Sequence, residues 1–154
     1  MTLELTSPAF KRGEPTPVRF TCDGDDVSPA MKWSGVPAGA KSLALICDDP
    51  DAPAGTWVHW VLYDLPASVT ELPEAMSASE LAAQGAKQGK NDFGHLGYGG
   101  PCPPAGRPHR YFFRLYALDA QLNLKAGATK HDVVNAMRGH TLAEGQLMGT
   151  YKRK

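Results

Sequence analysis

The stretch GYGGPCPPAGRPHRYFFRLYALD, Gly97–Asp119, joins a stiff loop to a strand and decides the fold class of the chain. Its first half holds four glycines and four prolines, which predict a rigid loop whose backbone approaches its neighbours closely. Its second half is rich in aromatic and aliphatic residues and predicts a buried strand. Alternate side chains of a strand share one face, so His109 and Tyr111 project together from its start.

Short runs of the same kind recur between turn signals along the whole chain. They are LELTS, VRFTCDG, KSLALICDD, TWVHWVLYDL and LMGTYKR. With 16 glycines and 13 prolines between them, these runs predict a mainly β protein, a β-sandwich of antiparallel sheets with Greek-key-like connections. SASELAAQG and TKHDVVNAMRGH predict two short peripheral helices, which begin after Ser77 and Thr129 and end near Gly85 and Gly139.

Length and composition restrict the class of protein. The 154 residues predict a single domain over 1–154, and 16 charges of each sign exclude the general positive field that nucleic-acid binding needs. The chain shows no run of eighteen apolar residues and no signal-peptide pattern, so we expect no stable membrane insertion. Three widely spaced cysteines indicate neither a disulfide framework nor a zinc site. Free thiols suit a reducing compartment, which predicts a cytoplasmic protein.

The run TWVHWVLYDL carries the first candidate site residue. Strict alternation would place Trp57, His59, Val61 and Tyr63 on one face of the strand. A single histidine in such a strand is also compatible with a hydrogen-bonded core residue, and both interpretations stay open at this point.

The run CDDPDAPAG carries the second candidate, because an apolar strand ends there in carboxylates. Asp49 follows the buried run directly, and Asp51 and Pro53 shape the turn behind it. Asp and Pro also favour ordinary solvated turns, which is the alternative interpretation. A cis bond between Ala52 and Pro53 would fix such a turn.

Together these segments predict a pocket for a small oxyanion, formed by His59, His109, Asp49 and Tyr111. Asp49 alone would repel an anion, so it must accept a hydrogen bond from one imidazole, whose other nitrogen then faces the ligand. A backbone amide exposed near Gly100 would be a further donor.

An enzyme is the alternative function. Two histidines and one aspartate also suit a metal or an acid-oriented base, so a His-Asp or metal-assisted hydrolase of small esters stays open. The sequence contains no G-x-S-x-G, H-E-x-x-H or P-loop motif, and we predict no cofactor, no metal and no catalytic residue.

His95 is either a pocket-rim or a loop residue, while Trp33 in MKWSGVP predicts a core anchor followed by a turn.

Three motifs resemble the phosphatidylethanolamine-binding protein family, and more narrowly its small bacterial and archaeal Raf kinase inhibitor-like branch. They are DPDAP at Asp49–Pro53, WVHW at Trp57–Trp60, and GPCPPAGRPHRY at Gly100–Tyr111 followed by LYALD. CDGDDVSPAMKWSGVP and GHTLAEGQLMGTYKR also fit this branch, so the resemblance covers nearly the whole chain.

The resemblance implies an antiparallel β-sandwich with one anion pocket at its edge. The family's ligand-binding positions correspond to Asp49, Trp57, His59, Gly100, Pro101, His109 and Tyr111, with Asp51 and Pro53 as structural neighbours. Members bind phosphate-like head groups without established turnover, and eukaryotic members inhibit kinases or other proteins.

The resemblance also bears on partners. It leads us to expect a phosphate or phosphorylated head group as ligand, a protein partner, and pairing into a homodimer. Eukaryotic relatives continue into a C-terminal helix that partly covers the pocket, whereas this chain stops after GTYKRK, so we expect a more open site. A regulator that uses another surface, with an incidental pocket, is the remaining alternative.

Overall fold

The computed structural model describes residues 2–153, which form two antiparallel sheets and two short helices. The strands are β1 Glu4–Thr6, β2 Met31–Ser34, β3 Ser42–Asp49, β4 Trp57–Pro66, β5 Glu71–Leu72, β6 Lys87–Gln88, β7 His109–Leu118 and β8 Thr141–Tyr151. The helices are α1 Ala78–Ala83 and α2 Lys130–Met137, and a 3-10 helix covers Val18–Phe20. The prediction of a mainly β sandwich with two short helices is confirmed.

Strand β3 is the centre of the fold and is buried along its whole length. The larger sheet has the order β6-β4-β3-β7-β8, and the smaller sheet has the order β1-β2-β5. Leu43 and Leu45 of β3 belong to the core between the sheets, while Ala44 and Ile46 belong to a second cluster that Val133 of α2 covers. A strand with apolar packing on both faces needs a continuous apolar run rather than alternation, and ALIC in β3 supplies it.

Both helices begin and end where the sequence predicts. Ser77 and Thr129 each accept a hydrogen bond from the backbone N–H three residues further on, which satisfies a donor at the helix start. Gly85 and Gly139 follow the helices with φ of +86° and +79°, a conformation that glycine adopts without steric cost. Within residues 2–153, neither helix has the length or apolar character needed to cross a membrane.

The segment VRFTCDG is not the predicted strand but a 3-10 helix followed by turns. Thr21 Oγ1 donates to the carbonyl of Val18 at 2.9 Å, and the N–H of Gly24 donates to the carbonyl of Thr21 at 3.0 Å. Local hydrogen bonds of this kind compete with a sheet ladder. MKWS is strand β2, and its Trp33 is the buried anchor that the sequence predicts, with a turn at Ala38 and Gly39 after the strand.

Strand β4 contains an extra residue opposite β3. Cys47 pairs with Trp60 and the next residue, Asp48, pairs with Val58, so His59 has no partner of its own. A β-bulge such as this one disrupts the ladder locally and redirects the side chain of the extra residue.

The prediction that Trp57, His59, Val61 and Tyr63 share one face is therefore wrong. Val58, rather than His59, packs with Val61 and Tyr63 beneath α2. The bulge turns His59 towards the first half of β7 instead, where its ring meets an aromatic neighbour.

A disulfide bond joins Cys22 to Cys102 across 80 residues of sequence, with the Cα atoms 5.4 Å apart. The prediction of three free thiols is wrong, since only the buried Cys47 is free. The fold brings the two segments together, and the N–H of Cys22 also donates to the carbonyl of Pro101 at 3.0 Å. Because free thiols were the argument for a reducing compartment, the cytoplasmic location stays a prediction.

We expect the double variant Cys22→Ser/Cys102→Ser to lose about 4 kcal/mol of unfolding free energy. A cross-link that spans 80 residues removes much of the loop-closure entropy of the unfolded chain. Guanidinium unfolding followed by tryptophan fluorescence measures the loss, and wild-type protein in excess reductant is the matched comparison. Unchanged unfolding midpoints in both samples would contradict a stabilising bond.

Candidate functional site

Asp49 and His109 meet because β3 and β7 are antiparallel neighbours, so the end of one strand lies beside the start of the other. His109 Nδ1 donates to Asp49 Oδ2 at 2.7 Å. The other carboxylate oxygen of Asp49 accepts the backbone N–H of Asp51 at 2.7 Å. The structure thus forms the carboxylate–imidazole pair expected from sequence. Nδ1 is committed to the carboxylate, and Nε2 is the ring nitrogen left for another partner.

Asp51 holds the turn behind this pair. Its carboxylate accepts the backbone N–H, Nε and Nη2 of Arg110, each at 2.9 Å. These hydrogen bonds lower the pKa of Asp51 to about 2, so the carboxylate stays charged under ordinary conditions. The bidentate contact with the guanidinium ties the turn to the second residue of β7 and places Asp51 in the structural position expected for it.

His59 is the second imidazole of the site. Its Nδ1 donates to the carbonyl of Gly99 at 2.7 Å, and because a carbonyl only accepts, this nitrogen carries a proton. The ring is buried, and burial lowers the pKa of His59, so the neutral form is favoured near pH 7. In that form Nε2 holds a lone pair and becomes a donor only when a further proton binds.

Two buried polar atoms beside the imidazoles lack a partner. Trp57 Nε1 has no hydrogen-bond partner among residues 2–153. The Tyr111 hydroxyl lies near the Asp49 carboxylate but outside hydrogen-bonding geometry, and both atoms are shielded from solvent. Burial, reinforced by the nearby Asp49, raises the pKa of Tyr111, so its hydroxyl keeps its proton and can donate. A buried donor without a partner costs free energy, and such atoms in native proteins call for an explanation.

These side chains surround one cavity of about 190 Å³. Its wall consists of Asp49, Ala52, Pro53, Trp57, His59, Phe93, Cys102, Pro103, Pro104, His109 and Tyr111. His59 and His109 therefore face a common space, and the His59 and Tyr111 rings meet edge to face with centroids 5.2 Å apart. The wall combines carboxylate and imidazole side chains with prolines and aromatic rings.

Two predicted site residues do not line this cavity. The N–H of Gly100 donates to Asp26 Oδ1 at 2.7 Å, so the expected exposed amide is already paired and that prediction is wrong. Gly100 has no room for a side chain, since a Cβ would lie 2.1 Å from the carbonyl oxygen of Phe20. Pro101 is buried, and its carbonyl accepts the N–H of Cys22. Both residues instead support the wall from behind.

Phe93 is the main cavity residue that sequence reasoning missed. Its ring meets the rings of Trp57 and His59 edge to face, with centroid distances of 5.5 and 5.4 Å. The buried side chain of Asn91 builds the turn that presents it, by accepting the N–H groups of Phe93 and His95. The turn residues around Asn91 indicate a compact loop in the sequence, but they do not indicate that this loop places Phe93 at the cavity.

Two further expectations concern His95 and the turn before Pro53. His95 does not line the cavity and is exposed. The bond between Ala52 and Pro53 is trans, as are all peptide bonds among the described residues, so the cis bond considered for that turn is absent. Within residues 2–153, no group of three His, Cys, Asp or Glu side chains is arranged to hold a metal ion.

The chain is similar to known proteins along nearly its whole length. The family model for phosphatidylethanolamine-binding protein matches residues 6–152. The UPF0098 protein of Methanothermobacter thermautotrophicus is 53% identical over 151 residues, which cover 98% of this chain and 99% of that protein. The UPF0098 protein of Aquifex aeolicus is 50% identical over 153 residues, which cover 98% of this chain and 89% of that protein.

Two solved structures share the fold. CT736 of Chlamydia trachomatis, described as a phosphatidylethanolamine-binding protein homolog, has a TM-score of 0.91 at 42% identity and covers 99% of both chains. YbcL of E. coli, described as a member of the mammalian family of that name, has a TM-score of 0.92 at 35% identity and covers both chains completely. With its fold, its motifs and these matches in agreement, the chain belongs to the phosphatidylethanolamine-binding protein family.

Proposed function

We propose that this protein is a non-catalytic binding module whose cavity holds a phosphate or a phosphorylated small molecule. The observation that carries the proposal is the pair of buried donors without partners, Trp57 Nε1 and the Tyr111 hydroxyl. Both residues line the cavity, so an anion bound there can accept hydrogen bonds from them. A volume of about 190 Å³ suits a ligand of this size.

The proton count of the two histidines sets the conditions for binding. Both Nδ1 atoms are committed, to Gly99 and to Asp49, so only the Nε2 atoms remain for a ligand. A neutral Nε2 accepts a hydrogen bond, whereas an anion requires donors. Trp57 Nε1 and the Tyr111 hydroxyl can donate without any change of protonation, whereas Nε2 of His59 donates only after it takes up a proton from solvent or from the ligand.

Asp49 does not prevent anion binding, because its charge is already engaged. One of its oxygens accepts His109 Nδ1 and the other accepts the N–H of Asp51. The imidazole of His109 lies between this carboxylate and an anion at Nε2, and so separates the two negative groups.

A larger cleft of about 670 Å³ lies between β1 and β8, but it offers a poorer anion site. Its Arg114 is already bound to the buried carboxylate of Asp48, with Nη2 3.1 Å from Oδ1. Lys11 and Arg12 also line this cleft, but Glu4 and Glu144 line it too and oppose their charge.

The cavity offers the hydrolase alternative no side-chain nucleophile. No serine or threonine lines it, and its one cysteine, Cys102, is held in a disulfide. Membership of the family supports ligand binding rather than turnover. The protein partner, the kinase-inhibitor role and the homodimer stay predictions, and a phosphorylated side chain of a partner would enter through the same opening.

We expect the affinity for sulfate to rise as the pH falls from about 8.5 to about 5.5, by up to tenfold per pH unit where one proton is taken up. Sulfate keeps a constant charge over this range, so the change reports on the protein. The affinity rises towards low pH because of His59. Burial lowers the pKa of this residue in the free protein, and a bound anion raises it again, so binding takes up a proton. Calorimetric titration measures it, and an affinity that does not vary with pH would argue against recognition by histidine.

We expect Tyr111→Phe to weaken phosphate binding about tenfold without loss of stability. The change removes only a hydroxyl that has no partner in the free protein, so unfolding free energy should stay equal or rise slightly. Calorimetry and thermal unfolding measure the two quantities, and His95→Ala, at an exposed residue outside the cavity, is the control. Unchanged phosphate affinity in the Tyr111→Phe protein would refute the donor role of the hydroxyl.

Phe93 should contact the organic part of a phosphorylated ligand, because it extends the apolar wall at the rim and is 38% exposed. We expect Phe93→Ala to weaken binding of propyl phosphate about tenfold while changing that of inorganic phosphate less than twofold, as the loss of one apolar contact predicts. Leu96→Ala, in the same loop but outside the cavity, is the matched control. Equal losses for both ligands would mean that Phe93 only supports the wall.

A further inference from the structure

The Cys22–Cys102 disulfide forms part of the cavity wall. Cys102 lines the cavity together with Pro103 and Pro104, and both cysteines are only partly buried. Cys22 follows the 3-10 helix, so the bond attaches the N-terminal part of the chain to the proline-rich loop. The bond thus adjoins the proposed anion site rather than lying in the core.

A cation lies next to one of the two sulfurs. Arg153 Nη1 donates to Cys102 Sγ at 3.6 Å, and Arg153 Nε lies 3.2 Å from Asp23 Oδ1. A guanidinium beside a cysteine favours the thiolate over the thiol. A sulfur with a more stable thiolate is also the better leaving group in thiol–disulfide exchange. Attack on Cys22 with departure of Cys102 is therefore the favoured direction.

The wall keeps other attachments when the disulfide is broken. The N–H of Cys22 donates to the carbonyl of Pro101 at 3.0 Å, and the N–H of Gly100 donates to Asp26 Oδ1 at 2.7 Å. The Tyr98 hydroxyl donates to a carbonyl of the same N-terminal segment at 2.7 Å. Cleavage of the bond should therefore loosen the wall without releasing it from the N-terminal segment.

We propose that Cys22–Cys102 is a thiol-exchange site that controls anion binding at the cavity, an inference that rests on the proposed function. A dithiol is the reductant. Its thiolate attacks Cys22 Sγ, the S–S bond breaks, and Cys102 leaves as a thiolate beside Arg153. The second thiol of the reductant then attacks the mixed disulfide and releases Cys22, so two electrons pass to the protein and the reductant becomes a disulfide.

Reduction changes the charge of the cavity. The charge of Asp49 in this wall is shared with His109 and a backbone N–H, whereas a Cys102 thiolate adds a negative charge whose neighbouring cation, Arg153, is partly exposed and already bound to Asp23. Like charges at close range repel strongly where solvent is partly excluded, so the reduced protein holds an anion less tightly. Loss of the cross-link also makes the wall less preorganised, which acts in the same direction.

The direct test compares phosphate binding by the oxidised protein and by the protein reduced with dithiothreitol, at about pH 8. We expect reduction to weaken binding at least tenfold, and a thiol titration of the folded protein to rise by two. Cys22→Ser retains the Cys102 sulfur without a cross-link and should bind as weakly as the reduced protein. Cys22→Ser/Cys102→Ser also lacks the cross-link but carries no thiolate, and should recover most of the affinity.

Phosphate binding and reduction of the disulfide must affect each other equally, which allows a second measurement on the wild-type chain. This measurement stays valid if a variant folds poorly. If reduction weakens phosphate binding, saturating phosphate must oppose reduction by the same factor. The ratio of dithiothreitol to its oxidised form that reduces half of the protein should therefore increase when phosphate is present.

Three results separate the claims. Equal phosphate affinity before and after reduction, or no released thiols in the folded protein, overturns the exchange site and leaves the proposed function intact. Equal binding by the single and double serine variants overturns the role of the thiolate charge. No binding of phosphate by the oxidised protein overturns the proposed function and this inference together.

Discussion

The hydrogen bond between His109 and Asp49 is the constraint on which the site depends. A carboxylate that is only 3% exposed requires partners, and Asp49 obtains them from an imidazole and a backbone N–H. The register of β3 against β7 brings these groups together, so the core that fixes the register also fixes the site. The Asp51–Arg110 contact then holds the turn in place on the exposed side.

The second imidazole reaches the cavity by a different physical route. His59 lies on a strand whose regular alternation would have turned it towards the cluster under α2, and a β-bulge turns it back. The carbonyl of Gly99 then fixes its tautomer. Both histidines thus leave Nε2 for a ligand. A carboxylate holds Nδ1 of His109 and a backbone carbonyl holds Nδ1 of His59, so the two rings have different electrostatic surroundings.

The proline-rich loop before β7, residues 97–108, is held against the N-terminal segment by more contacts than its prolines suggest. Hydrogen bonds to Gly100 and Pro101, the Tyr98 hydroxyl and a disulfide all attach it to residues 20–26. A preformed cavity lowers the ordering cost of binding a small ligand. The disulfide is the one covalent member of this set, and so the one that chemistry outside the protein can break.

The sequence by itself determined the mainly β fold, both helix starts, the family and most of the cavity wall. The fold class and the helix starts depend on local signals, since alternation and capping residues are visible within a few residues. The cavity wall was expected because three motifs resemble those of the family. It predicted Asp49, Trp57, His59, His109 and Tyr111 correctly as neighbours of one space, and it placed Asp51 and Pro53 beside them.

Only the tertiary structure decided the direction of His59, the pairing of Cys22 with Cys102, the burial of Gly100 and the position of Phe93 over the site. Each depends on contacts between segments separated by tens of residues: a bulge arises from how two strands pair, and a disulfide from which loops meet. Local sequence patterns do not predict such long-range contacts, because the free energy that selects these contacts comes from packing the whole core.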